Sequence, residues 1–182
     1  ILNITPDSFF DGGSFFSEKA FLEQVEKMLT EGADLIDVGG YSSRPGASEI
    51  SVEEETSRTV TAIAAISRQF PGTIISVDTF RSAVAEAAVQ AGASMVNDIS
   101  GGNLDPEMFR MVSRLKVPYV LMHMRGNPET MASQTQYGNL IGEMMAYFHT
   151  KLHALRHGHG GHHVPGHAGI AIAIRNAVLD YV

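Results

Sequence analysis

Five short apolar runs alternate along the chain with longer segments in which apolar residues return every three or four positions. That alternation is the pattern of βα units, in which each helix crosses back so that the next strand lies parallel to the last. Ile1 to Ile4 reads as the end of a first strand, and Phe21, Val25, Met28 and Leu29 share one face of the helix after it. Gly32 ends that helix, and Leu35 to Val38 forms strand two. Ser51 with Glu54 three positions on predicts a capping box opening a helix that carries Val60, Ile63 and Ala64. Strand three is Ile74 to Val77, and a helix with Val84, Ala87 and Ala88 runs to Gly92 before a fourth strand around Met95 and Val96. Asp105-Pro106 reads as N-cap and first turn of a helix holding Met108, Val112 and Leu115. Strand five is Val117 to Met122, and a fifth helix places Ile141, Met145, Phe148, Leu152 and Leu155 on one stripe.

The segments Gly32-Ala-Asp-Leu-Ile-Asp37 and Gly92-Ala-Ser-Met-Val-Asn97 echo each other at a spacing of two βα units of about thirty residues each. Repetition of the unit suggests a (β/α)8 barrel. A complete barrel typically needs about 250 residues, so 182 residues give about five units plus a short tail. A five-stranded doubly wound sheet is the other architecture that suits this length.

Charge and composition narrow the function. Thirteen Lys and Arg against twenty Asp and Glu give a net charge of −7, the wrong sign for a surface that must neutralise nucleic-acid phosphates. No run approaches the length of a membrane span. The absence of cysteine excludes disulfides, thiolate nucleophiles and cysteine metal sites, and fits a cytoplasmic location. The first residue is Ile1 and no leader-like segment follows it, which reads as a clipped start.

After about residue 156 the character changes, which divides the chain into a barrel portion, 1–156, and a His/Gly-rich tail, 157–182. His157, His159, His162, His163 and His167 offer imidazoles to a metal. A flexible linker, or a run that is not the natural continuation of the barrel portion, accounts for the same composition.

In a parallel α/β architecture, ligands gather beyond the carboxyl ends of the strands. The first two such loops read Asn3-Ile-Thr-Pro-Asp-Ser-Phe-Phe-Asp-Gly-Gly13 and Gly39-Gly-Tyr-Ser-Ser-Arg-Pro-Gly-Ala47. The next three strands end in Ser76-Val-Asp-Thr79, Val96-Asn-Asp-Ile-Ser-Gly-Gly102 and Leu121-Met-His-Met-Arg-Gly126. Asn3 offers a neutral oxygen to a hydrated Mg2+ held mostly by phosphate, or else bonds its own loop. Ser43 and Arg44 pair a hydroxyl with a fork of donors that matches phosphate, although an Arg on a loop is commonly a solvated charge. Asp78 closes an apolar strand and invites a ligand with paired N–H groups; capping the helix near Phe80 is the competing role. Asn97 donates and accepts, suiting an amide-like ring edge, while Asp98 ties loops together. Met122 and Ile99 can sandwich a flat heterocycle or simply belong to the core. His123, between two methionines, reads as structural.

Together these loops resemble dihydropteroate synthase, the pterin-binding enzyme of folate synthesis, over residues 1 to about 156. Asn-Ile-Thr-Pro-Asp-Ser-Phe, Ser-Ser-Arg-Pro-Gly-Ala, Ser-Val-Asp-Thr, Val-Asn-Asp-Ile-Ser-Gly-Gly and Leu-Met-His-Met-Arg-Gly-Asn-Pro stand in that family's order and spacing. The resemblance implies a (β/α)8 barrel and a transferase that joins p-aminobenzoate to 6-hydroxymethyl-7,8-dihydropterin diphosphate, releasing diphosphate with Mg2+ as cofactor. It implies that Asn3 meets the metal and diphosphate and that Ser43 and Arg44 hold the diphosphate. Asp78, Asn97, Ile99 and Met122 then hold the pterin, and Phe9 and Pro45 border the p-aminobenzoate. Asn3, Arg44 and Asp78 are the expected catalytic set. The expected partners are these small molecules and a second copy of the chain in a homodimer, with neither nucleic acid nor membrane.

The family's later Asp-Pro-Gly, Ser-Arg-Lys and closing Arg-x-His segments do not occur in this sequence. The expectation is therefore a weakly stable chain with weak activity or none. A non-catalytic pterin or diphosphate binder and a relative of the methyltetrahydrofolate-binding methyltransferases are the alternatives.

Overall fold

The computed structural model describes residues 1–4, 18–42, 49–127, 130–157 and 170–173. Its parallel strands are β1 (Leu2–Asn3), β2 (Leu35–Gly39), β3 (Ile74–Asp78), β4 (Met95–Asp98), β5 (Tyr119–Met122) and β6 (Ile170–Ala173). The helices between them are α1 (Glu18–Thr30), α2 (Val52–Gln69), α3 (Ser82–Ala91), α4 (Met108–Leu115) and α5 (Leu140–His157). The strands stand in the sheet in chain order, β1-β2-β3-β4-β5-β6, every neighbouring pair parallel. A doubly wound sheet reverses its order at a switch point, whereas a barrel adds each strand beside the last, so the order decides for the barrel. The sixth strand comes from the stretch that composition sets apart: Ile170–Ala173 pairs with Tyr119–Met122.

Successive side chains alternate across a strand, so the two faces differ. The helix-facing positions are apolar except for Asp98 at the end of β4. Ile36, Val38, Ile75, Val77, Val96, Tyr119 and Leu121 are buried there in one cluster with Phe21 and Val25 of α1, Ile63 and Ile66 of α2, and Met108 and Val112 of α4. The opposite face carries Asn3, Asp37, Ser76, Asp78 and Asn97, residues that a core would not select.

Local signals hold at several helix ends. Ser51 Oγ accepts from the Glu54 N–H at 3.1 Å, the expected N-terminal cap. Gly92 ends α3 at φ 123°, a conformation that costs a residue with a side chain.

Three expectations shift. The buried stripe of α2 is Glu55, Thr59, Ala62, Ile63, Ala65 and Ile66, and Ala64 is exposed, because two of its inward residues are polar and invisible to an apolar count. Asp105 is not the N-cap of α4, a position held by Glu107. Its carboxylate instead bridges two helix starts, accepting from the Ser82 N–H at 2.7 Å and the Glu107 N–H at 2.9 Å. On α5, Phe148 and Leu155 are buried as expected, but Ile141 is 70% and Met145 68% exposed, and Met144 packs inward in their place. The first turn is held at its polar side, where Glu143 pairs with Arg125 at 3.8 Å, while Ile141 and Met145 stay exposed.

Candidate functional site

Strand register gathers the candidate residues into one row. Asn3 pairs with Gly39, Gly39 with Asp78, Asp78 with Asn97, and Asn97 with Val120. Because parallel pairing keeps side chains in register, Asn3, Asp78 and Asn97 share the polar face near the carboxyl ends of their strands. Met122 lies on that same face two residues beyond Val120 and is buried, while Ile99, the first residue past β4, is part-buried. Phe9, Ser43, Arg44 and Pro45 lie outside the described residues, as do His159, His162, His163 and His167.

Gly39 stands between Asn3 and Asp78 in the row. A Cβ built there would stand 3.5 Å from Asn3 Oδ1 and 3.6 Å from Asp78 Oδ2, so two oxygens flank one point. Asn3 Oδ1 is a hard oxygen of the kind that suits Mg2+, an ion that takes most of its ligands from water and phosphate rather than from a protein cage. Among the described residues, no group of three or more His, Asp or Glu side chains could hold a metal ion.

Beneath this row lies a second one, Asp37 paired with Ser76 and Ser76 with Met95. Asn97 reaches down to it: Nδ2 donates to Asp37 Oδ2 at 2.9 Å. Neighbouring strands are spaced about 4.8 Å apart, so β2 and β4 stand roughly 10 Å from each other. Their side chains meet across β3 because the sheet curves toward the polar face. From the sequence neither Asp37 nor Ser76 is given a role, although Ser76 opens the Ser-Val-Asp-Thr segment and the echo of Gly32–Asp37 in Gly92–Asn97 puts Asp37 and Asn97 at equivalent positions in their units.

The loops are anchored from the opposite face. Asp98, fully buried, accepts from Tyr119 Oη at 2.7 Å, the Ser100 N–H at 2.7 Å and the Gly102 N–H at 2.9 Å. Burial and the adjacent Asp98 charge push the Tyr119 hydroxyl far above its ordinary range. Glu55, with 0% exposure, accepts from Thr79 Oγ1 at 2.6 Å and Arg81 Nη1 at 2.8 Å. The Arg81 guanidinium stacks over Tyr41, and Tyr41 meets Phe80 edge-on. This network joins the loop after β2 to the loop after β3. Gly40 is needed for it, since a Cβ there would stand 2.5 Å from Thr59 Oγ1 and 3.2 Å from the Glu55 carbonyl oxygen. Burial raises the Glu55 carboxyl above its ordinary value, although Thr79 and Arg81 pull the other way.

His123 packs edge-on against Tyr147, with Tyr137 and Phe148 close by, and burial followed by the Arg125 charge lowers its pKa. The Tyr147 hydroxyl donates toward the Met122 carbonyl at 3.1 Å, which ties α5 to the end of β5.

A parallel βα array that turns a row of polar side chains toward its strand ends defines a small-molecule site of the barrel-enzyme type. The chain belongs to the pterin binding enzyme family, whose profile matches residues 1–160. Dihydropteroate synthase of Synechocystis is 50% identical over 157 residues, covering 86% of this chain and 54% of the relative. The Bacillus subtilis dihydropteroate synthase is 44% identical over 146 residues, 80% of this chain and 48% of the relative. The chain thus spans about half the length of these curated relatives. Among solved structures, dihydropteroate synthase of Yersinia pestis with a sulfonamide drug complex superposes with a TM-score of 0.75 at 37% identity, covering 85% of this chain and 55% of that one. The Xanthomonas albilineans enzyme with 4-aminobenzoic acid gives 0.76 at 36% identity, covering 95% and 58%.

Proposed function

We propose that the chain carries the pterin and diphosphate half of a dihydropteroate synthase site. The observation that carries this reading is the single register row that puts Asn3, Asp78 and Asn97 on one polar face. The related Xanthomonas albilineans synthase has been solved in complex with 7,8-dihydropteroate, a ligand with the same ring, at 33% identity to this chain.

In this reading the Asp78 carboxylate accepts from N–H groups on the ring edge, and Asn97 beside it completes the recognition of the amino-pyrimidinone. Ile99 and Met122 supply apolar contact to the ring. Ser43 and Arg44 hold the departing diphosphate, whose charge grows as the bond to the methylene breaks. Mg2+, held at Asn3 Oδ1, would neutralise further charge on those phosphate oxygens when bound. An aniline amine is neutral near pH 7, so p-aminobenzoate, bordered by Phe9 and Pro45, needs alignment with the methylene rather than a general base. The partners are these small molecules and a second copy of the chain, and the site of action is the cytoplasm. No helix among the described residues is long and apolar enough to cross a membrane.

Titration calorimetry with 6-hydroxymethylpterin diphosphate, beside an assay for dihydropteroate, tests the reading. Binding that is lost in Asp78→Ala and Asn97→Ala is expected. Undiminished binding in both variants would remove the row from the site.

A further inference from the structure

Asp37 takes no part in the reading above, yet it is only 8% exposed and lies on the polar face, one row below Asp78 and Asn97. One of its oxygens is engaged, accepting from Asn97 Nδ2. The other, Oδ1, has no hydrogen-bond partner among the described residues, and neither has the hydroxyl of Ser76, its register partner, which is 1% exposed. Two buried polar atoms on register-paired residues, without a partner among the described residues, are costly in a folded chain. A layer built only for stability would have filled those positions with Val or Ala.

The chemistry of the engaged oxygen has a directional consequence. A carboxylate accepts hydrogen bonds and does not donate them, so Asn97 must turn its amide NH2 toward Asp37. Its carbonyl oxygen is then turned away from β2. Asp78, the register neighbour of Asn97, also presents acceptors. The rim consequently offers an acceptor-rich edge, complementary to a ring carrying N–H and amino donors and hostile to one carrying carbonyl oxygens at the same positions.

The geometry points to Asp37 as a positioning residue that fixes the orientation of the Asn97 amide and so sets the site's preference for an amino-substituted heterocycle over its oxo counterpart. This rests on the pterin reading for the ligand class, but the orienting bond itself does not. Asp37 acts through Asn97 rather than on the ring, and its remaining oxygen with Ser76 Oγ offers acceptors for a bridging N–H or water below the ring plane. In Asp37→Asn, either orientation of the paired amides is satisfied, so Asn97 is free to present NH2 to the ligand.

Two measurements on the full chain test this. Calorimetry compares 6-hydroxymethylpterin with 6-hydroxymethyllumazine, which carries an oxygen in place of the amino group, in the wild type, Asp37→Asn and Asp37→Ala. The wild type is expected to prefer the pterin by about tenfold or more, and Asp37→Asn to cut that preference several-fold while its Tm stays close to wild type. Equal weakening toward both ligands, with the ratio unchanged, would overturn the proposal as a merely structural effect. Without ligand, NMR hydrogen exchange of the Asn97 side-chain amide is expected to be faster in Asp37→Ala, and unchanged exchange would overturn it equally. If the wild type binds neither compound, the pterin reading fails, and the exchange measurement still decides whether Asp37 holds Asn97.

Discussion

Two buried aspartates on opposite faces of one sheet show two uses of the same side chain. Asp98 faces the helix layer and takes up three donors, one from a tyrosine hydroxyl and two from backbone amides. Asp37 faces the polar layer with one oxygen bonded to Asn97 and the other unpartnered among the described residues. The first arrangement satisfies the chain's own groups and holds a loop in place. The second leaves recognition capacity unspent, which is how a ligand site differs from a structural network. Alternation along β4 puts Asp98 next in sequence to Asn97, the residue that bonds Asp37, yet on the other face, so stability and recognition face different ways.

The comparison is broken most severely at Asp98. Asp98→Ala strands the buried Tyr119 hydroxyl and two amides, and is expected to cost about 4 kcal/mol or to prevent folding, read by urea denaturation. Next is Arg81→Ala, which leaves Glu55 without its cation. At pH 8 a loss of about 3 kcal/mol is expected. The Glu55 pKa is already raised in the folded chain, so stability tied to its protonated form is full below its ordinary value and lost as pH climbs through the folded value. The penalty of Arg81→Ala should therefore shrink as the pH is lowered toward 5, and a penalty that grew on acidification would reverse the assignment.

On the polar face the sign changes. Ser76→Ala removes a buried hydroxyl that has no partner among the described residues, so unfolding stability should stay level or rise by up to about 1 kcal/mol while pterin affinity falls. A clear loss of stability would place Ser76 with the structural residues. The smallest effect concerns His123, whose folded pKa lies below its ordinary 6.5. The unfolded chain then binds the proton more readily, so Tm should drop slightly as pH falls from 7 toward 5, and His123→Phe should flatten that slope.

The candidate row on the polar face is legible in the sequence. Asn3, Asp78 and Asn97 stand at the ends of apolar runs, where a polar residue is conspicuous, and the chain order of βα units already aimed those ends one way. Asp37 and Ser76 were not singled out because each sits inside a strand-like run, where polarity reads as noise against hydrophobic neighbours. Glu55 lay in a cluster of glutamates at a helix start, and only packing shows which of the three is buried. The α5 stripe misled in the other direction: Ile141 and Met145 fit the period but are exposed, since periodicity states which face is apolar and not what covers it.

The amino-acid sequence alone determined the unit of construction, the direction of the strands and the chemical character of their tips, because these depend on local periodicity and on residue type. Tertiary structure alone decided that Asn97 and Asp37 touch across an intervening strand, that Glu55 and Arg81 lock two loops, and which buried oxygens remain open. Those outcomes depend on the curvature and register of the sheet, which are set by all the strands at once and written in no single segment.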